Sequence, residues 1–126
     1  MKIIKSEELR GTDRDVDVTG CKSLRILLEK DGMGFSLHKT IIPKGDPQHW
    51  HYKNHFEACY CVFGEGELTN LETGDVFHIK PDTTYVLDKH DDHLFQALTN
   101  SVVLITIFNP PVKGDESHDS EGSYNV

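Results

Sequence analysis

From residue 23 to residue 108 the chain alternates between short apolar runs and turn-forming clusters. Residues 23–28 read as a strand and lead into the turn Asp31-Gly32. Residues 35–42 alternate loosely, with Phe35, Leu37 and Ile41 on one parity and Ser36, His38 and Thr40 on the other. Pro43-Lys44-Gly45-Asp46-Pro47 interrupts them. Further strands are predicted over residues 57–63, 67–71, 76–79, 84–87, 93–98 and 102–108, until Asn109-Pro110-Pro111 stops the last. Short strands with turns at close intervals predict an all-β sandwich or barrel. Only residues 6–12 offer a helical turn, with Ser6 as N-cap and Glu7 and Glu8 in its first turn. From Lys113 onward the chain is polar and acidic, and composition alone predicts a mobile tail.

A length of 126 residues suits one domain with a single core, so residues 1–126 are expected to fold as one unit. The net charge of −8 and the lack of clustered Lys and Arg argue against a nucleic-acid partner. No stretch has the length of a membrane-spanning helix, which argues against a membrane partner. The N-terminus reaches Glu7 and Glu8 at once and lacks the apolar core of a signal peptide, so a cytoplasmic protein is expected. Cys21, Cys59 and Cys61 are an odd set without a disulfide framework, which suits a reducing compartment. Cys59 and Cys61 would share a strand face with Glu57 and Phe63, as small core residues.

The densest chemistry is His49-Trp50-His51-Tyr52-Lys53-Asn54-His55-Phe56-Glu57, with three imidazoles and a carboxylate in nine residues. Such groups suit a first-row transition metal or proton transfer. Glu57 opens an apolar strand, and a carboxylate entering a barrel interior needs a cation or hydrogen-bond donors. His49 and His51 would point the same way on an extended segment, as metal ligands require, although such pairs also occur on surfaces. Tyr52 offers a phenolic proton or a stacking ring. Tyr85 lies in one strand and His93 opens another, and on local pattern they read as a core tyrosine and a solvent-facing histidine. Arg25 interrupts an apolar strand and is a better anion ligand than Lys80, because guanidinium grips a carboxylate with two parallel bonds.

The order of these motifs resembles the cupin superfamily, in which a histidine pair and a glutamate precede a glycine, and a proline and histidine follow. Here six residues separate Glu57 from Gly64, Gly74 and Pro81 begin the second motif, and His93 is placed to supply its histidine. Five residues rather than three or four separate His51 from Glu57, and Pro81-Asp82-Thr83 lacks the usual glycine. Those departures, together with the strings His51-Tyr52-Lys53-Asn54-His55-Phe56-Glu57-Ala58, Leu87-Asp88-Lys89-His90-Asp91-Asp92-His93-Leu94 and Gly122-Ser123-Tyr124, resemble the ectoine synthase family.

The resemblance implies a cupin-type, jelly-roll-like β-barrel with a short N-terminal helical turn. It makes residues 113–126 a lid instead of a loose tail. It implies a hydro-lyase, commonly a head-to-tail homodimer, that converts N-γ-acetyl-L-2,4-diaminobutyrate to the compatible solute ectoine and water. It implies an iron ion (Fe2+) held by Glu57, Tyr85 and His93, which leaves His49, His51 and His55 in supporting roles. Around the substrate it places Arg25, Thr40, Tyr52, Phe108, Glu116 and His118, with Tyr52, Thr40, Glu116 and His118 as the catalytic set. A tryptophan common near the start of the family's pocket is Cys21 here. Two other readings stay open at this point: a cupin that binds a ligand without turnover, and an iron-dependent dioxygenase.

Overall fold

A computed structural model describes residues 1–116 and 118–124. Among them, ten strands form two antiparallel sheets. One has six strands in the order β1 (Asp15–Val18), β2 (Cys21–Leu27), β3 (Ser36–Pro43), β10 (Ser101–Asn109), β5 (Phe56–Phe63) and β8 (Thr84–Leu87). The other has four, in the order β4 (Gln48–Trp50), β9 (His93–Ala97), β6 (Gly66–Asn70) and β7 (Val76–Ile79). The predicted all-β barrel is the observed architecture.

The sheets face each other across a core that includes Phe95, Leu104, Val102, Ile42 and Leu68. Each such buried side chain contributes about 1.5–3 kcal/mol. The inner parity of β5 carries Glu57, Cys59 and Cys61, all buried. Phe63, of the same parity, is exposed because the β5–β10 register slips between Val103 and Leu104. Gly64 ends β5 at φ +79, where a side chain would also overlap the Ser101 carbonyl.

Three local expectations change. The helical turn α1 covers only Ser6–Leu9, and its N-cap is Lys5 with no side-chain cap, so Ser6 lies inside it. Strands β1 and β4 escaped the sequence reading. In β3 the inward parity is the polar one, with Ser36 and His38 buried and Leu37 and Ile41 turned outward. This costs little, because the polar groups satisfy one another. His38 bridges Ser23 Oγ at 3.3 Å and Ser36 Oγ at 2.9 Å, and the Val112 amide donates to Ser36 Oγ at 2.9 Å.

Burial, with a smaller push from Arg25, brings the His38 imidazole down to about 3. The folded state therefore binds no proton there while the unfolded chain does, and stability rises with pH across that window. The expected outcome is a His38 contribution to stability that is full above about pH 6.5, the unfolded value, and is lost progressively toward pH 3. His38→Gln should flatten that slope, as read by thermal melts across the range.

Candidate active site

Two spaces lie between the sheets. A narrow cavity of about 20 Å³ is lined by Cys21, Thr40, Tyr52, Glu57, Tyr85 and Phe108, among others. Between β7 and the edge strand β8 lies an open cleft of about 610 Å³, bordered by Tyr85 and His93. Tyr85 borders both, so Glu57 and His93 each share a wall with it.

Register explains the placement of the two oxygen donors. Cys59 on β5 pairs with Tyr85 on β8, and Glu57 lies two residues before Cys59. Glu57 and Tyr85 thus share the inner face, one diagonal step apart. Glu57 is 7% exposed and no salt bridge reaches it among the described residues. Burial pushes its carboxyl up to about 8, and pushes the Tyr85 phenol well above its usual range. His93 comes from the opposite sheet, where it pairs with Trp50. Its Nδ1 lies 2.9 Å from the Asp91 carbonyl, so that nitrogen carries the proton and donates. The buried Nε2 is left with a lone pair and no partner among the described residues. That is the arrangement of a metal-ligating histidine, whose far nitrogen is oriented by a carbonyl. A buried carboxyl without counter-charge, a phenol and this lone pair are hard, mostly oxygen donors, the chemical kind that iron takes.

Tyr52 is buried, and burial holds its phenol well above the usual range, so it is protonated. Its hydroxyl lies 2.8 Å from His118 Nε2. Burial first, and Arg25 second, bring the His118 imidazole down to about 4. The ring is neutral at neutral pH, so the Tyr52 hydroxyl donates to it. Thr40 Oγ1 lies 3.2 Å from Thr106 Oγ1 on the cavity wall. Phe108 meets Tyr52 edge to face at 5.2 Å. Cys21 stands on the cavity wall, and burial pushes its thiol up to about 12, so it stays protonated.

The C-terminal segment is docked, contrary to the composition reading, with Val112, Glu116, Ser123 and Tyr124 buried. His51 N–H donates to the Gly122 carbonyl at 3.0 Å and Lys53 N–H to Ser123 Oγ at 3.0 Å. Lys53 also pairs with Glu121. Gly122, at φ +77, sits so close that a Cβ would overlap the His49 carbonyl oxygen. Arg25 is 0% exposed. It donates to the carbonyls of Gly114 at 2.6 Å and Glu116 at 3.1 Å, leaving Nε unpartnered among the described residues. The Glu116 carboxylate accepts from the Lys113 and Gly114 amides at 2.7 and 2.8 Å. Burial pushes that carboxyl up, but these amides outweigh it and hold it low.

Thr40, Tyr52, Glu57, Tyr85 and Phe108 therefore meet on one cavity wall, and His118 reaches it through Tyr52. Arg25 and Glu116 instead grip the backbone of the docked segment. His49 is exposed and pairs with Asp92, while His55 Nδ1 donates to the Pro110 carbonyl at 2.9 Å. Lys80 is exposed. Sequence reasoning passed over Trp50 and Tyr124, which also line the cavity. The glycine-serine-tyrosine string and the tryptophan between two histidines were the available signals.

Two antiparallel sheets closed around a cavity that holds Tyr52, Glu57 and Tyr85 form a cupin-type barrel, and the comparisons with its relatives make it an enzyme. At the level of fold it matches the Schizosaccharomyces pombe Cnp3 cupin domain, with a TM-score of 0.61 and 16% identity over 75% of this chain and 64% of that chain. The family model for ectoine synthase matches residues 1–126, and the chain belongs to that family. It is 50% identical to the L-ectoine synthase of Alkalilimnicola ehrlichii over 98% of this chain and 94% of the relative. It is similar to the crystal structure of ectoine synthase from P. lautus, with a TM-score of 0.89 and 43% identity over 97% of this chain and 87% of that one.

Proposed function

We propose that this chain cyclises N-γ-acetyl-L-2,4-diaminobutyrate to ectoine with loss of one water, assisted by an iron ion held by Glu57, Tyr85 and His93. The observation that carries the reading is the partly buried hydrogen bond from Tyr52 to His118 at 2.8 Å, beside a cavity that also holds Glu57. It joins a proton donor and a neutral base at a site with little room for bulk water.

When bound, the ion supplies a positive charge that polarises the acetamide oxygen. The chain's own residues handle the protons. Two protons leave the α-ammonium group of the substrate and two arrive on the departing oxygen, so the reaction needs no external acid or base. Neutral His118 accepts a proton as the amine attacks the amide carbon, and the Tyr52 hydroxyl delivers one to the oxygen that leaves. Thr40 hydrogen-bonds the reacting groups, and Phe108 packs against the closing ring. Arg25 holds the substrate carboxylate while its other donors grip the lid. Holding the substrate folded removes much of the entropic cost of closure.

The cavity of about 20 Å³ has room for about one water and none for the substrate. Residues 113–126 therefore act as a lid that opens for entry and closes for reaction; Ser117, Asn125 and Val126 within it lie outside the described residues. The other partner is a second copy of the chain, set head to tail. Exposed Phe56, Tyr60, Val62 and Val86, beside the unpaired edge of β8, support such a contact. No described helix is long and apolar enough to cross a membrane. Free Cys21, Cys59 and Cys61 suit the cytoplasm, where ectoine would serve against osmotic stress.

The test is turnover of the acetylated diamino acid by the iron-loaded protein with oxygen excluded. The expected product is lighter by one water. A requirement for oxygen would favour a dioxygenase, and binding without conversion a ligand-binding module.

A further inference from the structure

His118 is the least restrained group in the proposed proton path. It lies on the C-terminal segment, outside the barrel strands, and among the described residues its ring makes a single hydrogen bond, through Nε2 to Tyr52. Its buried Nδ1 has no partner among the described residues. One hydrogen bond fixes a distance but leaves the imidazole free to turn about that axis. Something else must set the ring plane.

Two aromatic rings supply that restraint. Tyr124 stacks on His118 with ring centroids 4.7 Å apart and planes 8° from parallel. Trp50 stacks on it at 6.1 Å and 28°. We propose that Tyr124 and Trp50 are positioning residues that clamp the His118 imidazole in the orientation in which it accepts the Tyr52 hydrogen bond and returns a proton to Tyr52 once Tyr52 has given its own to the leaving oxygen. The inference rests on the reading that Tyr52 and His118 exchange that proton.

The backbone is built to present the clamp. His118 and Tyr124 form an antiparallel bridge, which puts their side chains next to each other. Asp119 shapes the intervening turn: its Oδ1 accepts from the amides of Glu121 at 2.9 Å and Ser123 at 3.0 Å, and its own N–H donates to the Ser123 carbonyl at 2.8 Å. Gly122 brings this turn against the backbone of His49 and Trp50, which carries the second ring. Asn54 Nδ2 donates to the Tyr124 carbonyl at 3.2 Å. Tyr124 is itself 3% exposed, with Tyr52 at 4.9 Å, Phe108 at 5.5 Å and the Arg25 guanidinium 5.9 Å over its ring. One docking event therefore brings the base, its stacking partner and the lid together.

A displaced acid–base group typically slows turnover by up to about 100-fold. In the full chain loaded with iron, Tyr124→Leu should lower kcat about 10- to 100-fold while KM changes about twofold or less. Tyr124→Phe, which keeps the ring, should recover most of that loss. In the His118→Ala background, Tyr124→Leu should cause almost no further loss, because the clamp acts only through His118. A Tyr124→Leu effect that persists undiminished without His118, or one confined to KM, would overturn the proposal. His118→Ala and Tyr52→Phe with wild-type kcat would instead overturn the proton reading on which it rests.

Discussion

Glu57→Ala should yield a folded protein that retains no bound iron and turns over about 10³-fold more slowly. Removing a partner that merely orients a ligand costs about 10- to 100-fold, and a direct donor should cost more. The reason lies in the position of the carboxyl. It is buried on the inner face of β5, beside Tyr85, and among the described residues no basic side chain pairs with it. Without a cation, burial raises it to about 8, which marks it as a charge the fold does not itself compensate. Alanine removes that unpaired group, so the metal-free variant should melt no lower than the metal-free parent. Elemental analysis beside a kinetic assay reads both halves of the prediction. Retained iron with retained activity would remove Glu57 from the ligand set.

Truncation after Val112 should abolish turnover and leave the barrel standing. The last strand, β10, ends at Asn109, so no described strand is lost. What is lost is the partner of Tyr52, the stack on that partner, and the carbonyls that satisfy Arg25. The Arg25 guanidinium would gain water in place of Gly114 and Glu116, which limits the loss of stability. Near-native far-ultraviolet circular dichroism with activity at background is the expected pair of results. A truncated protein that still cyclises substrate would contradict the lid.

The strands that could be read from sequence were those with a clear apolar run between glycine or proline turns, such as Val76–Ile79 and Thr84–Leu87. Strand β1 escaped because Asp15 and Asp17 alternate with Val16 and Val18 at a sheet edge, and β4 because it has three residues. The polar inward parity of β3 went against the usual rule because the barrel interior is a site as well as a core.

The site was legible in part for a similar reason. Glu57 declared itself as a carboxylate at the head of an apolar strand. Tyr85 and His93 looked ordinary by local pattern, and only the resemblance singled them out. Trp50 and Tyr124 gave little local signal because their roles depend on contacts far along the chain; Tyr52 and His118 are 66 residues apart. The docked C-terminal segment was misread by composition, since its order comes from backbone hydrogen bonds and from the Asp119 turn. An aspartate followed three residues later by glycine was the one sign of that turn.

The proposed function turns on the loss of the acetamide oxygen as water during ring closure. It is tested most directly by supplying substrate labelled with ¹⁸O at that oxygen to the iron-loaded protein without air. Unlabelled ectoine and all of the label in water are expected. Label retained in the product or found in released acetate, or no reaction until oxygen is admitted, would contradict it.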